Sequence, residues 1–327
     1  MVLPFLPNVN SDHIWHGYRK IIPSEELRRP GRVVALTVAF LRLSLYHTSM
    51  KIVSVAKLDE PDLQPYKTLR RPIEHERSGI FVAEGEKVVR RLLESTLDVS
   101  TILLTPEWLE QYRSTLEKRI GDLRVYVAPK NLMESIVGFH LHQGIMAVAH
   151  IPNPIGLSQA IRQSKRPSLL VAVEGLTNAE NLGVLVRNCA AFGADALLVG
   201  ERSSSPYLRR AVRNSMGAVF TLPVVHLTSL VEAINEMKSV HHFHVVAAHP
   251  HSEKKTLHNA SLREDSCIVF GSEGEGIDPA VLTVCDESVA IPMENSVDSL
   301  NVASASAVFL FEVQRQRQNS GLRSERQ

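Results

Sequence analysis

The chain has almost no net charge: across 327 residues, Lys+Arg 36 stand against Asp+Glu 35, a formal charge of +1. That excludes a polycation that coats nucleic acid over its whole surface, so any nucleic-acid surface must be a local patch. Cysteine is scarce. Cys189, Cys267 and Cys285 are odd in number, far apart and set in apolar segments, which predicts buried reduced thiols rather than bridges and makes a reducing cytoplasm the simplest compartment. No apolar run is long enough to span a bilayer. The most apolar stretch, 33–46, is short, interrupted by Arg42 and too far into the chain for an ordinary secretory signal, so no membrane partner is expected. Repeats of about 20–50 residues and long low-complexity tracts are absent as well. At 44% apolar composition the length suffices for two packed domains.

Along the chain, residues 1–49 form an extension unlike the rest, expected to be a packed helix or upstream translation. Residues 50–151 alternate short apolar strands with amphipathic helices. Strands are expected at 81–83, 101–104, 123–127 and 145–150, and Val88, Val89, Leu92 and Leu93 recur at helical spacing between the first two. Residues 152–167, with Pro152, Pro154 and Gly156, read as a linker. A second α/β domain is expected over 168–318, with strands at 169–173, 196–199, 243–248, 267–270 and 288–291. Continuous apolar strands separated by helices predict a parallel sheet covered on both faces. A basic tail, 319–327, closes the chain.

Three clusters converge on this second domain. In the first, Asn181, Gly183 and Arg187 follow the strand that ends near Glu174. Asn181 sits where a cap or turn residue belongs, and Arg187 lies among Val184, Leu185, Val186 and Cys189. A merely solvated charge is poorly placed there, so a functional arginine is preferred over an ion pair with Glu174 or Glu180. The second cluster holds Arg209, Arg210 and Arg213 within five residues, a group suited to phosphate oxygens or equally to a solvated helix face. The third is the turn Gly271-Ser272-Glu273-Gly274-Glu275-Gly276, directly after a buried strand. Glycines there let the backbone approach a ligand closely, yet the turn carries two glutamates and no base, which disfavours a pyrophosphate. Its spacing fails both G-x-G-x-x-G and G-x-x-x-x-G-K-[ST]. Five histidines, His241, His242, His244, His249 and His251, crowd one strand and its loop without a cysteine or regular carboxylate partner. Packing or surface roles are expected for them, and no metal. His140 and His142, beside Gln143 and Gly144, are expected to shape a turn.

The order N-x-G-x-x-x-R at 181–187, R-x-S-x-G-A at 213–218, G-S-E-G-x-G at 271–276, then I-P-M at 291–293 and S-L-N-V at 299–302 resembles the three signature motifs of the SpoU-TrmH family of RNA ribose 2'-O-methyltransferases, in the SPOUT superfamily. The likeness covers about 168–312, and three ordered motifs are far more specific than one. Residues 50–151, with FVAEGEKVVRRLLES and HQGIMAVAH, resemble the RNA substrate-binding domain often found ahead of that catalytic domain. One departure is Asn178-Ala179 where the family commonly has Asp-Pro. The resemblance implies a Rossmann-like parallel sheet with a C-terminal deep trefoil knot, preceded by a small α/β substrate-binding domain, and a homodimer.

By the same resemblance, the methyl donor is S-adenosylmethionine and the substrate is structured RNA, tRNA or rRNA. Arg187, Asn181 and Ser215 are implied as catalytic, and Arg209, Arg210 and Arg213 as RNA-binding. Gly271, Glu273, Gly274, Ile291, Met293, Ser299, Leu300 and Asn301 are implied to line the donor pocket. An acidic loop suits a sulfonium and an amine. A guanidinium normally holds its proton above about pH 12. Arg187 is therefore expected either to act as a base helped by phosphate and burial, or to stabilise the developing alkoxide. The alternative to an enzyme is an RNA-binding protein of the same fold that has lost catalysis.

Met50 opens MKIVSVAKLDEPDL, which reads as the beginning of a cytosolic domain. Peptide mass spectrometry of the native protein is expected to find nothing that maps wholly before Met50; one such peptide refutes the expectation.

Overall fold

Strands such as Leu169-Leu170-Val171-Ala172-Val173 carry no polar side chain on either face, so they are stable only between two layers. The computed structural model shows how the chain supplies those layers. It describes residues 51–119, 122–137, 144–250, 255–294 and 297–324, with side chains through residue 318. The expectations for residues 1–49, the 140–143 turn, His251 and the tail side chains lie outside the described residues.

The first lobe contains β1 (Lys51–Ser54), the short helices α1 (Gln64–Lys67) and α2 (Pro72–Arg77), β2 (Ile80–Glu84), α3 (Glu86–Glu94), β3 (Val99–Leu104), α4 (Pro106–Glu117), β4 (Arg124–Val127), α5 (Lys130–Val137) and β5 (Ile145–His150). Its five strands are ordered β1-β4-β3-β5-β2, with β1, β4 and β3 parallel and β5 antiparallel to both β3 and β2. In α3, Val88, Val89, Leu92 and Leu93 form the buried stripe that their spacing predicted.

The second lobe runs α6 (Leu157–Gln163), β6 (Leu169–Val173), α7 (Ala179–Ala191), β7 (Ala196–Val199), α8 (Arg209–Asn214), β8 (Val224–His226), α9 (Leu230–Ser239), β9 (His244–Ala248), β10 (Ser266–Phe270), α10 (Pro279–Val284), β11 (Glu287–Val289) and α11 (Val302–Ser324). Its sheet is parallel throughout, in the order β11-β9-β10-β6-β7-β8. Alternate residues feed opposite faces. Leu169, Val171, Val173, Ile268 and Phe270 pack with α7 and α11. Leu170, Ala172, Cys267 and Val269 pack with α6, α9 and α10. Burial of each large aliphatic side chain in these layers contributes about 1.5–3 kcal/mol.

One expectation changes. The 152–167 segment is more than a linker, because it contains α6, whose Leu157, Ala160 and Ile161 are buried in the core of the parallel sheet. Near the C-terminus, Arg315 makes two 2.7 Å hydrogen bonds to Glu312, and Arg317 donates to the carbonyls of Pro167, Ser168, Leu262 and Glu264. The short strands β1 and β8 gave no periodic signal in the sequence.

Both lobes fall in one compact unit and share a core. Phe81 of β2 lies 5.6 Å, ring centre to ring centre, from both Tyr207 and Phe220, which flank α8. Gly183 lets α7 press onto α8. A Cβ added there would lie 2.4 Å from the Ala211 carbonyl oxygen and 2.8 Å from the Asn214 Cβ.

Gly183→Ala therefore sets two effects against each other. Alanine gains about 1 kcal/mol of helix propensity, whereas overlap with a backbone carbonyl costs about 1–3 kcal/mol. Denaturant unfolding is expected to show a net loss of up to about 2 kcal/mol. A stabilised variant would show that α7 and α8 can move apart freely.

Candidate active site

In the parallel sheet the chain adds β7 and β8 on one side of β6, then crosses over to place β10 between β6 and β9. That reversal opens a crevice at the carboxyl ends of the strands, where open α/β sheets bind ligands. Val173, Phe270 and Ala248 end their strands in register, so the turns after β6, β10 and β9 leave the sheet together.

The turn after β10 is held shut by its own backbone. Ser272 and Gly276 exchange hydrogen bonds of 3.0 and 3.1 Å, and the Glu275 amide donates to Ser272 Oγ at 3.1 Å. A Cβ on Gly271 would fall 2.3 Å from Gly276 backbone atoms, and Gly276 has φ +73°. Glycine is required at both positions, for different reasons. Gly274 has nothing within 4 Å of its would-be Cβ. The far end of the turn is tied to β6. Glu174, only 4% exposed, accepts from the Asp278 amide at 3.2 Å and from Arg202 Nε and Nη2 at 2.8 and 2.5 Å. Arg202 also lies 3.0 Å from Asp278, and its hydrogen bonds to Glu174 raise the guanidinium above its ordinary range.

Beside this turn lies a cavity of about 300 Å³. Of the eight residues that the motifs implied for a donor pocket, Gly271, Glu273, Gly274, Ile291, Met293, Ser299 and Leu300 line it, and Asn301 does not. Sequence reasoning missed Ala248, His249 and Pro250 at the end of β9, and Phe309 of α11, which also line it. The signal available for the first three was their position at a strand's carboxyl end; Phe309 is brought there only by the return of α11. The described lining contains Glu273, Glu275 and Asp298 and no Lys or Arg.

At the rim, three distant segments meet on one carboxylate oxygen. Asn181 Nδ2 donates to Glu273 Oε1 at 2.6 Å, Asn301 Nδ2 donates to the same oxygen, and Asn301 Nδ2 lies 3.1 Å from Asn181 Oδ1. Asn181 is free for this because Asn178 is the cap of α7, its Oδ1 accepting from the amides of Glu180 and Asn181 at 2.9 and 3.1 Å. The departure at Asn178-Ala179 thus leaves the first turn of α7 capped, and Asn181 stands inside that turn rather than at its cap. Asn301 caps α11, with its Oδ1 accepting from the Ala303 amide at 2.9 Å and the Ser304 amide at 3.4 Å.

Known proteins resemble this chain in sequence and fold. The model of the SpoU rRNA methylase family matches residues 168–311. An uncharacterized tRNA/rRNA methyltransferase of Mycobacterium bovis is 30% identical over 279 residues, which cover 83% of this chain and 94% of that protein. The chain belongs to the SpoU family. A 23S rRNA (guanosine-2'-O-)-methyltransferase, RlmB of Pasteurella multocida, is 33% identical over 202 residues, 61% of this chain and 81% of RlmB. Among solved structures, the SpoU methyltransferase AviRb from Streptomyces viridochromogenes has a TM-score of 0.68 at 26% identity, covering 79% of this chain and 97% of AviRb. AviRb has also been solved in complex with the cofactor AdoMet.

Within this SpoU-family chain the remaining motif residues have different fates. Arg187 is exposed on α7 and does not line the cavity; it has no hydrogen-bond or ion-pair partner among the described residues. The burial expected from its apolar neighbours is absent because those neighbours turn inward on the same helix and the arginine turns outward. Glu174 and Glu180, the partners weighed for it, face Arg202 and Arg210 instead. Ser215 is fully buried, and its hydroxyl donates to the Val212 carbonyl at 2.8 Å and accepts from the Gly217 amide at 3.2 Å. It therefore shapes the turn after α8. Arg210 is exposed beside Glu180 at 3.7 Å, a pair worth little at the surface. Arg209 and Arg213 both reach Glu84 of the first lobe.

Asn301→Ala removes a helix cap along with a rim contact, so chemical denaturation is expected to show a loss of about 1–2 kcal/mol. Asn181→Ala removes the rim contact alone and is expected to cost about 0.5–1 kcal/mol. Equal losses would show that the Asn301 cap contributes nothing.

Proposed function

We propose that this chain transfers a methyl group from S-adenosylmethionine to a ribose 2'-hydroxyl of structured RNA, tRNA or rRNA. The observation that carries the reading is the Asn181–Glu273–Asn301 junction at the rim of the cavity, which joins the first motif to the glycine turn and to the start of α11. The cavity fits the donor. Its volume of about 300 Å³ is at the lower end for small-molecule sites, and its carboxylates, with no Lys or Arg in the described lining, match a ligand that carries a sulfonium and an amine rather than phosphate.

When bound, S-adenosylmethionine supplies a methyl group made electrophilic by the adjacent sulfonium. Gly271, Glu273, Gly274, Ile291, Met293, Ser299 and Leu300 would hold it by shape and charge, and Asn301 would fix the turn through Glu273. Asn181, which shares that carboxylate, orients the groups that meet the ribose at the rim. Arg187 is exposed on α7, and a guanidinium is a poor general base. The role left to it is electrostatic, stabilising negative charge on the attacking 2'-oxygen while the proton passes to water or phosphate.

The same proposal includes a homodimer, a C-terminal trefoil knot and an RNA-binding role for residues 50–151. The dimer is supported by exposed apolar side chains at Val308 and Phe311, one turn apart on α11. The knot is supported by the path after β11. Ala290 exchanges hydrogen bonds of 2.8 and 3.0 Å with Leu257 and Lys255, and the chain then returns as α11 onto α7, where Asn188 Nδ2 donates to the Ala303 carbonyl at 2.8 Å. The 2'-O position is supported by the likeness to RlmB.

Incubation with methyl-labelled S-adenosylmethionine and either rRNA or tRNA tests the reaction. Label is expected in alkali-resistant dinucleotides, since a methylated 2'-oxygen cannot attack the neighbouring phosphate. RNA binding without transfer would instead favour a chain that has lost catalysis. Arg187→Ala is expected to lower kcat by about 10²–10³ with RNA affinity little changed, and near-normal turnover in Arg187→Lys would remove Arg187 from the catalytic set.

A further inference from the structure

Glu84 ends β2 and is only 6% exposed. A carboxylate held that far from water needs opposite charge and hydrogen bonds, and it receives both from the second lobe. Arg209 Nη1 donates to Glu84 Oε2, and Arg213 Nη1 donates to Glu84 Oε1 at 3.3 Å. The two arginines are one helical turn apart on α8, so a single carboxylate with two oxygens sets both guanidiniums. They differ in exposure: the Arg209 side chain is 20% exposed and the Arg213 side chain 55%. The trio carries one surplus positive charge, and Arg213 is the member that presents it to solvent.

The backbone of α8 is held by other contacts. Gly183 brings α7 against Ala211, and Arg91 Nη1 of α3 donates to the Met216 carbonyl at 2.5 Å. The rings of Tyr207 and Phe220 pack on Phe81. What remains for Glu84 to decide is the conformation of the Arg213 side chain, which otherwise has about 2 kcal/mol of rotamer entropy to lose when it binds a phosphate. A guanidinium already held in place loses less, which is how preorganisation raises affinity.

We propose that Glu84 is a positioning residue for RNA recognition: it fixes Arg213 as a phosphate-contacting guanidinium and withdraws Arg209 from the RNA surface. The first lobe then sets the geometry of the second motif from outside the catalytic domain. This inference rests on the RNA reading above. The competing role is a plain interlobe ion pair, which would stabilise the fold and leave RNA contacts unaltered.

Salt dependence separates the two roles, because each lost phosphate contact lowers the slope of log affinity against log salt by about one. Filter binding of unfractionated rRNA and of unfractionated tRNA is measured over a salt series with the full chain. Arg213→Ala is expected to reduce the slope by about one and to weaken binding about tenfold near 0.1 M salt. Glu84→Gln alone strands a half-buried guanidinium and risks misfolding, so it is combined with Arg209→Gln, which removes the interior charges together. That double variant is expected to lose the same unit of slope, and adding Arg213→Ala to it is expected to change nothing more. An unaltered slope in the double variant, or a second unit lost in the triple variant, overturns the proposal while leaving the RNA reading intact. Failure of the unaltered chain to bind either RNA sinks that reading and this inference with it.

Discussion

A strand that is apolar on both faces must be covered on both faces, and that requirement organises the second lobe. With β6, β7 and β10 buried throughout, helices have to occupy each side of the sheet: α7 and α11 on one, α6, α9 and α10 on the other. Polar chemistry is thereby driven to the ends of the strands. The reversal of strand order at β6 and β10 decides which end forms a crevice, and the turns that carry Asn181 and Glu273 are the ones that leave the sheet there.

Charge is divided in a way that the near-zero total conceals. The cavity at the strand ends is lined by carboxylates with no Lys or Arg in the described lining, while the arginines of the second motif lie on α8, where Glu84 compensates two of them. Segregation of this kind keeps two ligands of opposite charge from competing for one surface. A sulfonium compound is favoured in the acidic cavity and a polyanion outside it. The junction on Glu273 stands between the two regions, and it draws one residue from each of three distant segments.

The apolar strands, the stripe of α3 and the three ordered motifs were all readable in the sequence, because each is written in local spacing. Helix α6 was not, because prolines and a glycine around it mimic a linker and only the neighbouring sheet shows that Leu157, Ala160 and Ile161 are core residues. Arg187 was misjudged for a related reason. Apolar neighbours in sequence suggest burial, yet a helix turns successive residues in different directions, and Arg187 points outward. Ser215, implied as catalytic by the motif, is a small hydroxyl near a glycine, and its hydrogen bonds close a turn.

By itself the sequence determined the α/β class, the parallel sheet and the acidic turn whose sign argues against a phosphate ligand. These follow from periodicity, composition and spacing over a few residues, which act before any long-range contact forms. Only the tertiary structure decided that Asn181, Glu273 and Asn301 share one oxygen, that Phe309 walls the cavity, and that Glu84 takes hold of Arg209 and Arg213. Those contacts join residues up to 129 positions apart. Their geometry is set by how the strands are ordered and how closely Gly183 lets two helices approach, and neither is encoded in any single local window.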